Sequence, residues 1–287
     1  MVRRSAAAGS WRKRSPRPKR RTRLLRFWSG VRLRRRAQRA FHRAPRSVQV
    51  ITCLVILATL ALAINWIYQV VRKPSELFFP VSGALYKTPS ETWREYEPAF
   101  QKYSTSIITP ELLAALAQVE GSGNPIVRTY WRWSWRLRPF EVYRPASSAV
   151  GMYQITDGTF AEARHYCIHG HVVAEDGPWN DWRSCWFNSL YVRVIPSHAV
   201  ELTSAYLDHA VTTALQRHRL TSATVQQKQR LAAVIHLCGA GAGDVYARRH
   251  FRLIEGQRCG DHEVRVYVAR VEAMQGVFSR LAAAGDQ

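Results

Sequence analysis

Hydrophobic and polar positions divide the 287 residues into three regimes. Residues 1–46 set isolated apolar side chains in a dense field of arginine, with no sustained period. From Val48 to Val71 the chain turns apolar, with Gln49, Thr52, Thr59, Asn65 and Gln69 as its polar members. At ~1.5 Å per residue a helix over this run extends about 36 Å, enough to cross a ~30 Å hydrocarbon core with modest tilt. Trp66 and Tyr68 lie near its far end, where amphipathic rings suit the membrane interface. Beyond Arg72, apolar positions recur at helical and strand spacing between glycines and prolines, as a packed domain requires.

Several elements follow from that spacing. Thr109 is placed to cap a helix, Pro110 fits its first turn, and Glu111 complements the helix dipole. Leu112, Leu113, Leu116 and Val119 then share one face, and Gly121-Ser122-Gly123-Asn124-Pro125 ends the helix just after Glu120. In Thr129–Arg136 the alternation of Trp131, Trp133 and Trp135 predicts a strand with one tryptophan face and with Arg132 and Arg136 opposite. Those rings serve equally as a sugar-stacking platform or as a small second core. Trp179, Trp182 and Trp186, at i, i+3 and i+7, predict the packing face of a helix. Residues 72–103 carry Pro74, Pro80, Gly83, Pro89 and Pro98 and read as a linker and lead-in. The division expected is a basic tail (1–46), a transmembrane helix (47–71), the lead-in (72–103) and a globular domain (104–287). No repeat with a fixed period is present.

Charge sharpens this division. The formal net charge is +22, yet residues 1–46 hold 18 Arg/Lys and no acid, leaving 24 bases against 20 acids elsewhere. The excess belongs to the tail, and the tail abuts an apolar span. A topology determinant therefore explains it better than nucleic-acid binding, although Leu24, Leu25, Phe27, Trp28, Val31 and Leu33 could dip into anionic headgroups. A buried soluble helix would not be so uniformly apolar beside so basic a flank. A cleavable signal peptide fits poorly with the long basic region and with Asn-Trp-Ile-Tyr where small residues should stand. The positive-inside rule places the tail in the cytoplasm and everything after about Arg72 across the membrane. In a bacterial envelope this means a single-pass protein of the inner membrane with a periplasmic domain.

Cysteine usage agrees with export. Cys53 lies in the span, leaving Cys167, Cys185, Cys238 and Cys259, which suggest two disulfides in an oxidising compartment. Pairing neighbours, Cys167 with Cys185 and Cys238 with Cys259, closes the shortest loops. The alternative is a metal site at His165-x-Cys167-x-His169-x-His171. Strict i+2 alternation does not match zinc-ligand spacing, and neither metal nor cofactor is expected.

The candidate chemistry centres on Glu120. An acid at a helix end, partly desolvated by Val119 and faced by a glycine-rich turn, is a candidate proton donor. Three further segments accompany it: Ser148-Ala149-Val150-Gly151-Met152-Tyr153-Gln154, then His236-Leu237-Cys238-Gly239-Ala240-Gly241-Ala242-Gly243, then Tyr267-Val268-Ala269-Arg270-Val271 at the start of the last helix. In this order and spacing the set resembles the lytic transglycosylases of the soluble, lysozyme-like type. Their motifs run Glu-Ser-Gly-Gly-Asn-Pro, Gly-Ala-x-Gly-Leu-Met-Gln, Ala-Tyr-Asn-Ala-Gly-Pro-Gly and Tyr-Val-x-Lys-Val. The resemblance covers about residues 105–275. It implies a mainly α, lysozyme-like α+β domain with a small β element.

The resemblance also implies roles. Glu120 matches the family's catalytic acid/base. Gly151, Met152, Tyr153 and Gln154 match the second motif, with Gln154 as a substrate-facing amide. The family serine falls on Pro145, with Ser147 or Ser148 as substitutes. The family Tyr-Asn is absent, so His236 or Tyr267 must supply the hydrogen bond to the acid, or it is missing. Trp131 and Trp133 complete the substrate-binding set. The reaction implied is cleavage of the β-1,4 bond between N-acetylmuramic acid and N-acetylglucosamine in peptidoglycan, with formation of a 1,6-anhydro ring. A muramidase would need a second carboxylate, for which Glu141, Asp157 and Glu162 lie in the right region. The third possibility is a non-catalytic peptidoglycan-binding protein of an envelope or secretion complex.

Overall fold

The computed structural model describes residues 39–134, 140–181 and 183–285. The chain divides between Ala63 and Ile64 into two units. Helix α1 (Arg46–Arg72) begins in the first and ends in the second. It is long and apolar enough to cross a membrane, with a mean hydropathy of 2.4. Its leucines, isoleucines and valines from Val48 to Ile64 are exposed, as a lipid-facing helix requires. Thr52 and Thr59 donate to carbonyls four residues back, which satisfies their hydroxyls inside the helix.

The second unit is mainly helical, with three two-stranded antiparallel sheets. After short helical turns over Pro74–Phe78, Phe79–Ser82 and Gly83–Leu85 comes α2 (Pro89–Lys102). Thr88 and Glu91 close a capping box around its start. Trp93, Tyr96 and Phe100 of α2 are buried in the main core, so these residues are part of the domain and not a linker. The prolines of α2 are compatible with a helix for a physical reason. Pro89 occupies the first turn, where no N–H is needed, and Pro98 and Arg94 are both exposed, so the hydrogen bond lost there faces water.

Helix α3 (Pro110–Gly121) is the centre of the fold, with Leu112 through Ala117 fully buried. Thr109 caps it, accepting from the Leu112 N–H, with Pro110 following as the sequence predicts. Strands β1 (Trp131–Trp133) and β2 (Tyr143–Pro145) pair with Trp133 opposite Tyr143. Helix α4 (Asp157–Ala163) follows, capped by Thr156. Strands β3 (Tyr166–His169) and β4 (Val172–Glu175) form the second sheet. The long α5 (Pro196–Arg217), α6 (Val225–Cys238), α7 (Ala240–Arg248), the β5–β6 pair (Arg258–Cys259, His262–Glu263) and α8 (Val264–Gly285) complete the unit. Helices α2 and α8 pack on α3, and Trp93 meets Phe278 at 5.8 Å between ring centres.

Both disulfides pair neighbours, Cys167 with Cys185 and Cys238 with Cys259. The Trp179–Trp186 stretch is not a helix face. Gly177-Pro178 opens it with turns, Trp179 is 80% exposed, and Trp186 starts a short 3-10 turn and stacks on Phe187. Trp182, like Trp135 and Arg136, lies outside the described residues, as does the apolar set from Leu24 to Leu33.

Candidate functional site

The end of α3 is built for close approach. Ser122 adopts a left-handed conformation (φ 48°), and the Gly123 N–H returns to the Ala117 carbonyl, closing the last turn. A side-chain carbon on Gly121 would stand 2.8 Å from the Met152 carbonyl oxygen and 2.9 Å from its Cα. Glycine there lets the Gly151–Tyr153 backbone cross directly behind Glu120. Gly151 itself has φ +78°, and a Cβ would meet the Arg193 carbonyl at 2.4 Å.

Glu120 is half-buried, its side chain 17% exposed. The Tyr267 hydroxyl, carried by the first turn of α8, donates to Glu120 Oε1 at 2.5 Å. His236, in the last turn of α6, places Nε2 3.7 Å from the same oxygen. Of the two substitutes open from sequence, Tyr267 makes the hydrogen bond and His236 stands behind it. Burial pushes the Tyr267 phenol well above its ordinary value, helped by the Glu120 charge, so it remains a donor. Burial likewise lowers His236, opposed by Glu120 and by a hydrogen bond to the Tyr153 backbone.

The Cys238–Cys259 bridge bears on the same place. Cys238 lies two residues after His236, and Cys259 stands in the β5–β6 pair that leads into α8 and Tyr267. Gly239 (φ +82°) separates α6 from α7, and a Cβ on Gly243 would meet Ile235 Cγ1 at 2.2 Å. Gly243 serves a tight helix crossing, and Gly239 supplies the positive φ of the turn between the helices.

Beside His236 lies a cavity of about 250 Å³, lined by Gln154, Thr156, Thr159, Thr203, Tyr206 and Gly239 among others. Thr203 is buried, and its hydroxyl has no hydrogen-bond partner among the described residues. Gln154, at φ 47°, donates to the Gly151 carbonyl at 2.8 Å and to that of Val127 at 3.3 Å. Its amide nitrogen is therefore held by backbone.

The remaining sequence-predicted site residues do not line this cavity. Met152 and Tyr153 are fully buried, and the Tyr153 hydroxyl donates to the Leu113 carbonyl, so both act by packing and not by touching a ligand. Ser147 and Ser148 line a different cavity of about 170 Å³, with Gln69, Arg72, Lys73 and Arg144. The Ser147 hydroxyl accepts from the Ala149 N–H, and that of Ser148 from the Asp157 N–H. Trp131 and Trp133 both face Tyr143, with ring centres 5.1 and 4.8 Å away. Trp131 also donates to Glu76 Oε2. In the His165–His171 run, Cys167 is in a disulfide, His165 faces Asp176 and His171 Nδ1 lies 2.9 Å from the Ser104 carbonyl oxygen.

Two buried carboxylates were not anticipated. Glu201 accepts from the Ile168 N–H and the Tyr191 hydroxyl. Its signal in the sequence is an acid set among Ala199, Val200, Leu202 and Ala205, all buried. Glu76 takes Arg128 and Trp131 on Oε2 and lies 3.3 Å from Lys73 Nζ through Oε1. Compared with protein-family models, with characterised proteins and with solved structures, the chain matches none.

Proposed function

We propose that this chain is a membrane-anchored lytic transglycosylase with a lysozyme-like domain, acting on peptidoglycan through Glu120 as its single general acid and base. The observation that carries the reading is the setting of Glu120. Its carboxyl is half-buried beside a glycine turn, with Tyr267 and His236 both directed at Oε1. That leaves Oε2 to hold the reacting proton. Glu120 protonates the glycosidic oxygen, the bond to C1 breaks, and the N-acetylglucosamine side leaves as an alcohol. The carboxylate then accepts the proton of the muramic acid's own 6-hydroxyl, whose oxygen closes onto C1. No water is consumed, and the acid returns to its starting state.

A single acid is also supported by where the others are engaged. Glu141 faces Arg72 and Arg144, Asp157 pairs with Arg193 at 2.7 Å, and Glu162 is exposed on α4. The tail's arginines and the apolar span support an anchor with the domain in the periplasm, within reach of wall strands near the membrane.

The test is to incubate the detergent-purified full chain with peptidoglycan and weigh the released muropeptides. Anhydro ends, one water lighter than hydrolysis products, are expected, and Glu120→Gln should release none. Reducing ends would assign a muramidase. No release by the parent chain, with retained binding to the wall, would assign a non-catalytic wall-binding protein.

A further inference from the structure

The last turns of α1 are not a bare tether. Asn65 Nδ2 donates to the Tyr143 carbonyl at 2.6 Å, and Gln69 Nε2 to that of Phe140 at 2.7 Å. Tyr68 packs on Phe140 with ring centres 5.5 Å apart. Just past the helix, Glu76 holds the Trp131 indole and Arg128. The helix end therefore holds Tyr143 of β2 through Asn65 and Phe140 before it through Gln69 and Tyr68, and the turn beyond the helix holds Trp131 of β1 through Glu76. Counted along the sequence, Val48–Ile64 is 17 residues, about 26 Å of helix, close to the thickness of a hydrocarbon core. Asn65 and Gln69 then fall where the core ends, and whatever they bind is held at that depth.

What they bind is apolar on its outside. Trp133 is 58% exposed and Tyr130 67%, with Phe140 and Val142 also exposed. Leu77 and Phe78, on the helical turn that carries Glu76, are exposed too. Exposed tryptophan and tyrosine beside exposed aliphatic side chains are the composition of a membrane interface. Arg132 is exposed between the two tryptophans, and Arg72 sits at the helix end with its side chain more than half exposed. Cations at that level suit anionic headgroups.

We infer that the β1–β2 pair and the Pro74–Phe78 turn form a second membrane contact, seated in the headgroup layer beside α1. The partner is a lipid surface. This replaces both sequence readings of Trp131 and Trp133, as sugar platform and as second core. It rests on α1 being the anchor and is independent of the transglycosylase chemistry.

The test uses the full chain in vesicles of phosphatidylcholine with a minority of phosphatidylglycerol. Benzoylphenylalanine is placed singly at Leu57, Trp133, Phe140 or Trp179, all exposed positions where the probe displaces no core packing. After irradiation, lipid adducts are expected at Leu57, Trp133 and Phe140, several-fold above those at Trp179. Adducts at Leu57 without any at Trp133 and Phe140 would overturn the second contact and leave the anchor standing. Equal labelling at Trp179 would reduce the contact to nonspecific adsorption and overturn it as well. With glycan strands added, labelling of glycan in place of lipid at Trp133 would restore the sugar platform. No adduct at Leu57 would remove anchor and inference together, with the muropeptide result unaffected.

Discussion

The Tyr267 hydroxyl donates to Glu120 Oε1 at 2.5 Å, across 147 positions of sequence. This one bond joins the end of the central helix to the first turn of the last. In the proposed reaction it holds one oxygen of the carboxyl and leaves the other to exchange a proton. Tyr267→Phe keeps the ring in its buried site and removes only the donor. A hydrogen bond to a charged group contributes about 1.5–3 kcal/mol, so release of anhydro-muropeptides should fall roughly 10- to 150-fold, with KM little changed. A rate within a factor of two of the parent would show that the bond does not orient the acid.

Gly121 tests the geometry behind the acid. A methyl group there would press on the Met152 backbone, which has no flexible end to yield. Gly121→Ala should cost about 1–3 kcal/mol by overpacking, against the usual gain from alanine in a helix. Urea unfolding should show a lower midpoint at unchanged m. A neutral or stabilised variant would mean that the Gly151–Tyr153 segment does not cross the helix end as described.

These two sites mark how far the sequence could be read. The capped α3, the glycine turn after Glu120 and the Trp131–Trp133 strand follow from local rules, because each is decided within a few residues. The disulfide pairs were legible because short loops close most easily. The choice of Tyr267 over His236 was not, since it depends on how α6 and α8 cross, which no local pattern states. Nor was the burial of Met152 and Tyr153, because a motif identifies residue types without saying which face the core. The α2 helix was hidden by its prolines, although its Thr88–Glu91 box was there to be read.

His236 predicts an acid limb to stability. Burial holds its folded-state pKa below the ordinary value. As the pH falls below about 6.5 the unfolded chain takes up the proton first, so stability is lost. The contribution is full above that pH and disappears as pH falls through the folded pKa. Denaturant midpoints should therefore decline as the pH falls below about 6.5, and His236→Gln should flatten that slope. An equal slope in the variant would assign the decline to other groups.

The Cys238–Cys259 bridge should matter more to the site than Cys167–Cys185, although their loops span similar lengths of 21 and 18 residues. Chain entropy gives each about 3 kcal/mol. Only the first lies beside His236 and leads into Tyr267. Replacing Cys238 and Cys259 by serine should lower activity beyond what the lost stability explains, measured well below the unfolding transition. The Cys167/Cys185 pair of serines should lose stability with activity per folded molecule retained. Equal loss of activity in both would deny the bridge its local role.

Glu76 and Lys73 allow the most discriminating stability test. Both are buried, at 2% and 8% exposure, and Glu76 also receives Arg128 and Trp131. Glu76→Gln keeps the shape but leaves Lys73 as a buried cation without its counter-charge, which should cost about 3–5 kcal/mol. If uncompensated charge is the cause, adding Lys73→Met to that variant should recover part of the loss, because an apolar group of similar reach needs no partner. If the cause is the lost Trp131 and Arg128 bonds, the second substitution should recover nothing. A cycle of both single variants and the double, read as denaturant midpoints in detergent, separates the two.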